Sequence, residues 1–217
     1  MLGQIFQLIK KDFTIDFRQG FALTSVFLFA VTTVFMCYKI FGDLQGQAWN
    51  AVFWIIFLFA ALNAILRSFV QESGGRELYY FSLLNPIAVL LSKIIYNTLF
   101  LFVLGTLTFL VMALFTGNSV REIPLFFMTL SLGSMGLSIA FTFVTAIGSK
   151  SNNNATLIAI LAFPISLGIM LLLIKLSADA LGLINDTSLQ TDVIMLLAIN
   201  AVLLGLSIIL FPLLWKN

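Results

Sequence analysis

Arg67-Ser68-Phe69-Val70-Gln71-Glu72-Ser73-Gly74-Gly75-Arg76-Glu77-Leu78-Tyr79-Tyr80-Phe81-Ser82-Leu83-Leu84-Asn85-Pro86 is the one segment between hydrophobic runs that is dense in charge. At the centre of a bilayer Arg67, Glu72, Arg76 and Glu77 would each cost roughly 2.5–3.5 kcal/mol, so this stretch stays outside the hydrocarbon. Working outward from it, apolar runs long enough to cross a bilayer as helices occupy Phe21–Phe41, Ala48–Leu66, Ile94–Thr116, Pro124–Ile147, Ala155–Ile174 and Val193–Leu214. These are continuous runs, whereas barrel strands alternate in short pieces; the spans are therefore helices. With 61% hydrophobic and 9% charged residues, a mean hydropathy of +1.11 and 23 phenylalanines in 217 residues, the chain cannot hide its apolar surface in one soluble core. The reading is an all-α polytopic membrane protein, residues 1–217 forming one membrane domain whose short connections leave no room for a fused catalytic domain.

Lysine and arginine positions set the orientation. With the N-terminus in the cytoplasm, that side holds Lys10, Lys11, Arg18, Arg67, Arg76, Lys93, Lys150 and Lys216, and the far side only Lys39, Arg121 and Lys175. Both termini are then cytoplasmic. The first span is read as a retained anchor, being too long for a signal-peptide core and ending at Tyr38-Lys39 without a small-residue cleavage site. A net charge of +2 carries no nucleic-acid signal. The single cysteine, Cys37, excludes an internal disulfide and reads as a small apolar residue of the first span.

Residues 1–18 carry Leu2, Ile5, Phe6, Ile9, Phe13 and Phe17 at helical spacing, with Gln4, Gln7, Lys10, Lys11, Asp12 and Arg18 mostly off that face. Such a pattern predicts an amphipathic helix lying in the membrane interface and ending at Gly20. In the charged segment, Gly74-Gly75 breaks the backbone and Glu77–Leu84 forms a short helix with Leu78, Phe81 and Leu84 on one side. Asn85 then suits the N-cap, and Pro86 the first turn, of the helix that enters the third span. Within the fourth span, Gly133, Ser134, Gly136 and Ser138 are spaced for close approach of a neighbouring helix. Pro164 removes a backbone hydrogen bond inside the fifth span, making it a candidate hinge or a static bend. Ser177–Asp192 is the longest outer connection, and Ala178–Ile184 is apolar enough to form a short re-entrant helix, although a surface turn explains it nearly as well.

What is missing narrows the function. No G-x-x-x-x-G-K-[ST] occurs, so the chain does not bind ATP; Gly148-Ser149-Lys150-Ser151 matches only its end. No carboxylate falls inside the spans as drawn, which disfavours an ion-coupled carrier. Histidine is absent, removing histidine-dependent metal sites, Ser–His catalysis and an axial imidazole for haem. Clustered aspartates for a metal-dependent lipid transferase are also missing. The chain is read as non-catalytic, with no bound cofactor.

Six spans, an interfacial N-terminal helix and an amphipathic insert between the second and third spans resemble the permeases of ABC-2 type exporters. More narrowly, the chain resembles the haem exporter protein B (CcmB) family of cytochrome c maturation. The closest similarity runs Arg67-x-Phe69-x-x-Glu72-x-x-x-Arg76-Glu77-Leu78 through Pro86 to Lys93. Further similar patches are Leu132-Gly133-Ser134-Met135-Gly136 through Thr142 and Ala146 to Lys150, and Phe163-Pro164-Ile165. The resemblance implies a bacterial inner-membrane permease subunit, paired with a second copy of itself, a separate ABC ATPase subunit and a haem-handling membrane subunit, with haem as possible cargo. Glu72, Arg76, Glu77, Leu78 and Phe81 are then the expected contacts to the ATPase, an amphipathic helix entering a groove. A permease for a lipid, polysaccharide or drug is the alternative within the same superfamily.

Overall fold

The structure is a computed structural model describing residues 2–19, 21–42, 44–70, 85–148, 154–184 and 188–216. Among these residues there are seven helices and no strand: α1 (Leu2–Gln19), α2 (Phe21–Phe41), α3 (Gly46–Val70), α4 (Pro86–Thr116), α5 (Ile123–Gly148), α6 (Asn154–Ala180) and α7 (Leu189–Lys216). Six contain stretches long and apolar enough to cross a membrane, at Thr24–Phe41, Gly46–Ile65, Pro86–Thr116, Ile123–Gly148, Ile160–Ala180 and Leu189–Pro212. The chain is an all-α polytopic membrane protein. Gly20 and the segment 71–84 lie outside the described residues.

α5 is the centre. Of its span 78% is buried, against 17% for the first and last spans. It packs on α3, α4, α6 and α7. Its small residues permit this crowding, and its buried hydroxyls are satisfied within the apolar interior. Thr129 donates to Leu125 O at 2.9 Å, Ser134 to Leu130 O at 2.7 Å and Thr145 to Phe141 O at 2.6 Å. A hydroxyl that bonds back to its own helix leaves no polar group exposed to lipid.

Around the N-terminal half of α5, aromatic rings fill the space between helices. Trp49, Phe53, Trp54 and Phe57 follow one another on the buried side of α3, all at 0% exposure. Trp49 stacks on Phe53 with centroids 5.6 Å apart, and Phe126 of α5 meets Phe53 at 5.2 Å and Phe109 of α4 at 5.1 Å. Trp54 Nε1 donates to Ser177 Oγ of α6 at 2.7 Å, Ser177 Oγ donates to Asn50 Oδ1 at 2.7 Å, and Asn50 Nδ2 reaches Ile174 O at 2.9 Å. This chain of bonds closes the N-terminal part of α3 onto α6.

α4 and α6 extend furthest beyond the spans drawn from hydropathy. α4 begins eight residues before Ile94, because Asn85 caps it: the Asn85 side chain accepts from Ile87 N at 3.0 Å and Pro86 occupies the first turn. α6 does not stop at Ile174 but continues to Ala180, so Lys175 and Asp179 belong to the helix and the outer connection is shorter than Ser177–Asp192. Ala178-Asp179-Ala180 is accordingly the last turn of α6 and no separate re-entrant helix. Hydrogen bonding explains the extension. Leu183 N donates to Ala178 O at 3.0 Å and Gly182 N to Asp179 O at 2.8 Å, while Arg121 N and Glu122 N both reach Ala180 O. Gly182, at φ +69°, supplies the left-handed turn that this Schellman arrangement requires. At the start of α7, Asp192 pairs with Lys175 at 2.8 Å, joining the two helices across the turn and placing a carboxylate at a helix N-terminus.

Gly105 of α4 lies where a Cβ would sit 2.5 Å from Leu130 Cδ1 and 2.9 Å from Phe57 Cε2. Leu130 can rotate; Phe57 is held in the ring cluster. Gly105→Leu should therefore destabilise the fold by about 1–3 kcal/mol, read as a lower midpoint of unfolding in detergent micelles.

Candidate coupling site

The charged segment ends at the Asn85 cap, and from there α4 runs as a 31-residue helix. Nine residues in, about 14 Å along its axis, comes the turn Ile94–Asn97. This single turn is tied to two other helices. On one side Asn97 Nδ2 donates to Thr142 Oγ1 of α5 at 2.9 Å, and Ser138 Oγ of α5 donates to Ile94 O at 2.8 Å. On another side the Tyr96 hydroxyl donates to the Asp16 carboxylate of α1. Asn97, Thr142 and Ser138 are at most 3% exposed. Lys93, counted from sequence among the cytoplasmic cations, sits in the same region of α4 at 5% exposure. A turn whose neighbours are held by buried hydrogen bonds cannot move without moving them.

The small residues of α5 meet three helices rather than one. Ser138 faces α4 as above. A Cβ on Gly133 would lie 2.8 Å from Leu173 of α6, and a Cβ on Gly136 would lie 2.4 Å from Asn200 Oδ1 of α7. Asn200 Nδ2 donates to Leu132 O at 3.1 Å, so the amide lies flat on the α5 backbone where Gly136 leaves room. Ser134 is wholly buried and bonds its own helix. α6 runs without interruption through Pro164, beside which Phe163 meets Phe59 of α3 edge-on at 6.3 Å. Glu72, Arg76, Glu77, Leu78 and Phe81 lie outside the described residues.

Tyr96 and Asp16 were not among the positions singled out from sequence. A signal was present. Asp16 stands seven residues after Ile9 and three after Phe13, on the apolar stripe of α1, where a carboxylate requires a partner. Among the described residues no group of three or more Cys, His, Asp or Glu side chains is placed to hold a metal ion.

Over residues 3–213 the chain matches the family described as CcmB protein. It belongs to the CcmB family. No curated protein and no solved structure is matched. As a CcmB-family chain it is a multi-pass membrane subunit of haem transport for cytochrome c maturation. The tie at Ile94–Asn97 is thus placed in a transport subunit, between the insert and the central helix. Removing either Asn97 or Thr142 of this CcmB-family chain leaves a polar atom without its partner. A double-mutant cycle of Asn97→Leu and Thr142→Val should return a coupling energy of about 0.6–1.7 kcal/mol, measured by unfolding in micelles.

Proposed function

We propose that this chain is the permease subunit of an ABC exporter in which a separate subunit hydrolyses ATP, and that the segment 67–86 receives the ATPase. The observation that carries this reading is the continuity from the Asn85 cap through α4 to the buried bonds at Ile94–Asn97. The absence of a phosphate-cradling glycine loop from the sequence supports placing nucleotide chemistry in a partner. Glu72, Arg76 and Glu77 supply charge at that contact, and Leu78 and Phe81 its apolar anchors, a helix held in a groove at three- and four-residue spacing.

Closure of the ATPase would displace the segment, and α4 would transmit the displacement as a rod. Because α4 holds α5 through Ser138 and Thr142, and α1 through Asp16, the three helices would shift together. α5 in turn presses on α6 at Gly133 and on α7 at Gly136, and Pro164 is where α6 would bend. Haem is the cargo of the assembled system. This chain has no histidine to ligate it, so axial ligation falls to a haem-handling membrane subunit. Two copies of this chain with two ATPase subunits, in the bacterial inner membrane with both termini cytoplasmic, complete the arrangement.

Glu77→Arg with Leu78→Asp should abolish co-purification of the ATPase while leaving the variant in the membrane fraction at the wild-type amount. Retention of the ATPase by that double variant would refute the assignment of the segment.

A further inference from the structure

A cavity of about 450 Å³ opens on the side of the molecule between α1, α2 and α4. Ile9 and Phe13 of α1 and Phe27 of α2 form its walls, and α4 forms its floor from Tyr96 to Leu107. The eleven rises from Tyr96 to Leu107 measure about 16 Å. That is about half the roughly 30 Å thickness of the hydrocarbon core, the depth of one leaflet.

The geometry points to this groove as a binding site for one acyl chain of a phospholipid from the leaflet in which α1 lies. Three observations select that occupant. The groove begins beside α1, whose mixed composition confines it to the headgroup level, and runs toward the bilayer midplane, as an acyl chain does. Its lining is hydrocarbon and aromatic apart from Thr24 and Tyr96, and the Tyr96 hydroxyl is engaged by Asp16. An occupant with charged groups along its length would need polar partners along the lining, where among the described residues only Thr24 and Tyr96 are polar. Finally, Lys10 is exposed next to Ile9, which places a cation at the level of a lipid phosphate. Leu99 and Val103, 58% and 56% exposed, lie along the floor where the chain would cover them.

The Tyr96–Asp16 bond fixes the distance between α1 and α4 at the mouth, so the bound chain would act as a wedge that holds α1 off the upper part of α4. Filling the groove with protein should expel it. At about fourfold in affinity per buried methylene, a side chain that displaces two of them lowers affinity roughly 16-fold, and so occupancy by about an order of magnitude where the probe is below saturation.

The full chain in nanodiscs of phosphatidylethanolamine, doped with phosphatidylethanolamine carrying a photoreactive diazirine in one acyl chain, provides the test. We expect saturable labelling on the peptides containing Ile9–Phe13 and Leu99–Leu107, reduced roughly tenfold in Val103→Trp, while the lipid-facing Leu171 and Ile209 label without saturation. Leu99→Phe is a smaller change on the same face and should lower labelling in the same direction should the tryptophan variant not fold. Labelling of the groove that rises with probe in parallel with Leu171 and Ile209 would overturn the proposal, leaving only boundary lipid. An unlabelled groove together with a disulfide between copies bearing Leu99→Cys would also overturn it, assigning the surface to a second copy of the chain.

Discussion

The hydrogen bonds from Asn97 to Thr142 and from Ser138 to Ile94 O are the interactions on which the arrangement of helices depends. In a hydrocarbon surrounding, two apolar helices gain little by leaving lipid for each other, so association rests on close packing and on polar groups that find partners only across an interface. Both bonds hold α4 against the central helix within one turn. Every other helix except α1 and α2 packs on α5, and those two pack on α4. α2 is also held to the centre through α3, so loss of the α4–α5 contact would loosen chiefly α1, which packs mainly on α4 and α2.

The two ends of the bundle are held by different physics. Near Ile94–Asn97 hydrogen bonds between small side chains are joined by a small apolar cluster of Leu90, Ile94, Ile139, Ala146 and Phe211. Toward the other end the contacts are mainly rings: Trp49, Phe53, Phe109 and Phe126 interlock face to edge, and Trp54, Ser177 and Asn50 add a buried polar chain beside them. Ring clusters resist shear because their shapes interdigitate, whereas a small-residue contact with directional bonds has room to tilt.

Much of the fold was legible because bilayer thickness converts directly into run length. Six spans, the helical class and the Asn85-Pro86 start of α4 all follow from composition and from one cap. The outer end of α6 was misplaced for an identifiable reason: hydropathy drops at Lys175 and Asp179, yet Lys175 is paired with Asp192 and the helix end is capped by a Schellman turn and by Arg121 and Glu122. Gly182 was the sequence signal for that turn, placed just after an apolar run. For the candidate site, Gly133, Gly136 and Ser138 announce close approach through their size alone, but size does not say that they face α6, α7 and α4 respectively.

The sequence by itself determined the class of molecule, the number of long apolar runs, the membership in the CcmB family and the absence of histidine and of a G-x-x-x-x-G-K-[ST] loop, since each of these is a property of residue type and run length. Only the tertiary structure decided which helix stands at the centre, which turn of α4 is bound to its neighbours, that Asp16 meets Tyr96 eighty residues away, and that an apolar groove one leaflet deep opens beside them. The reason is physical. Hydropathy is summed along the chain, whereas the pairing of a buried polar atom and the shape of a cavity depend on which surfaces of separate helices come into contact, and six nearly uniform apolar helices carry little periodicity to reveal that.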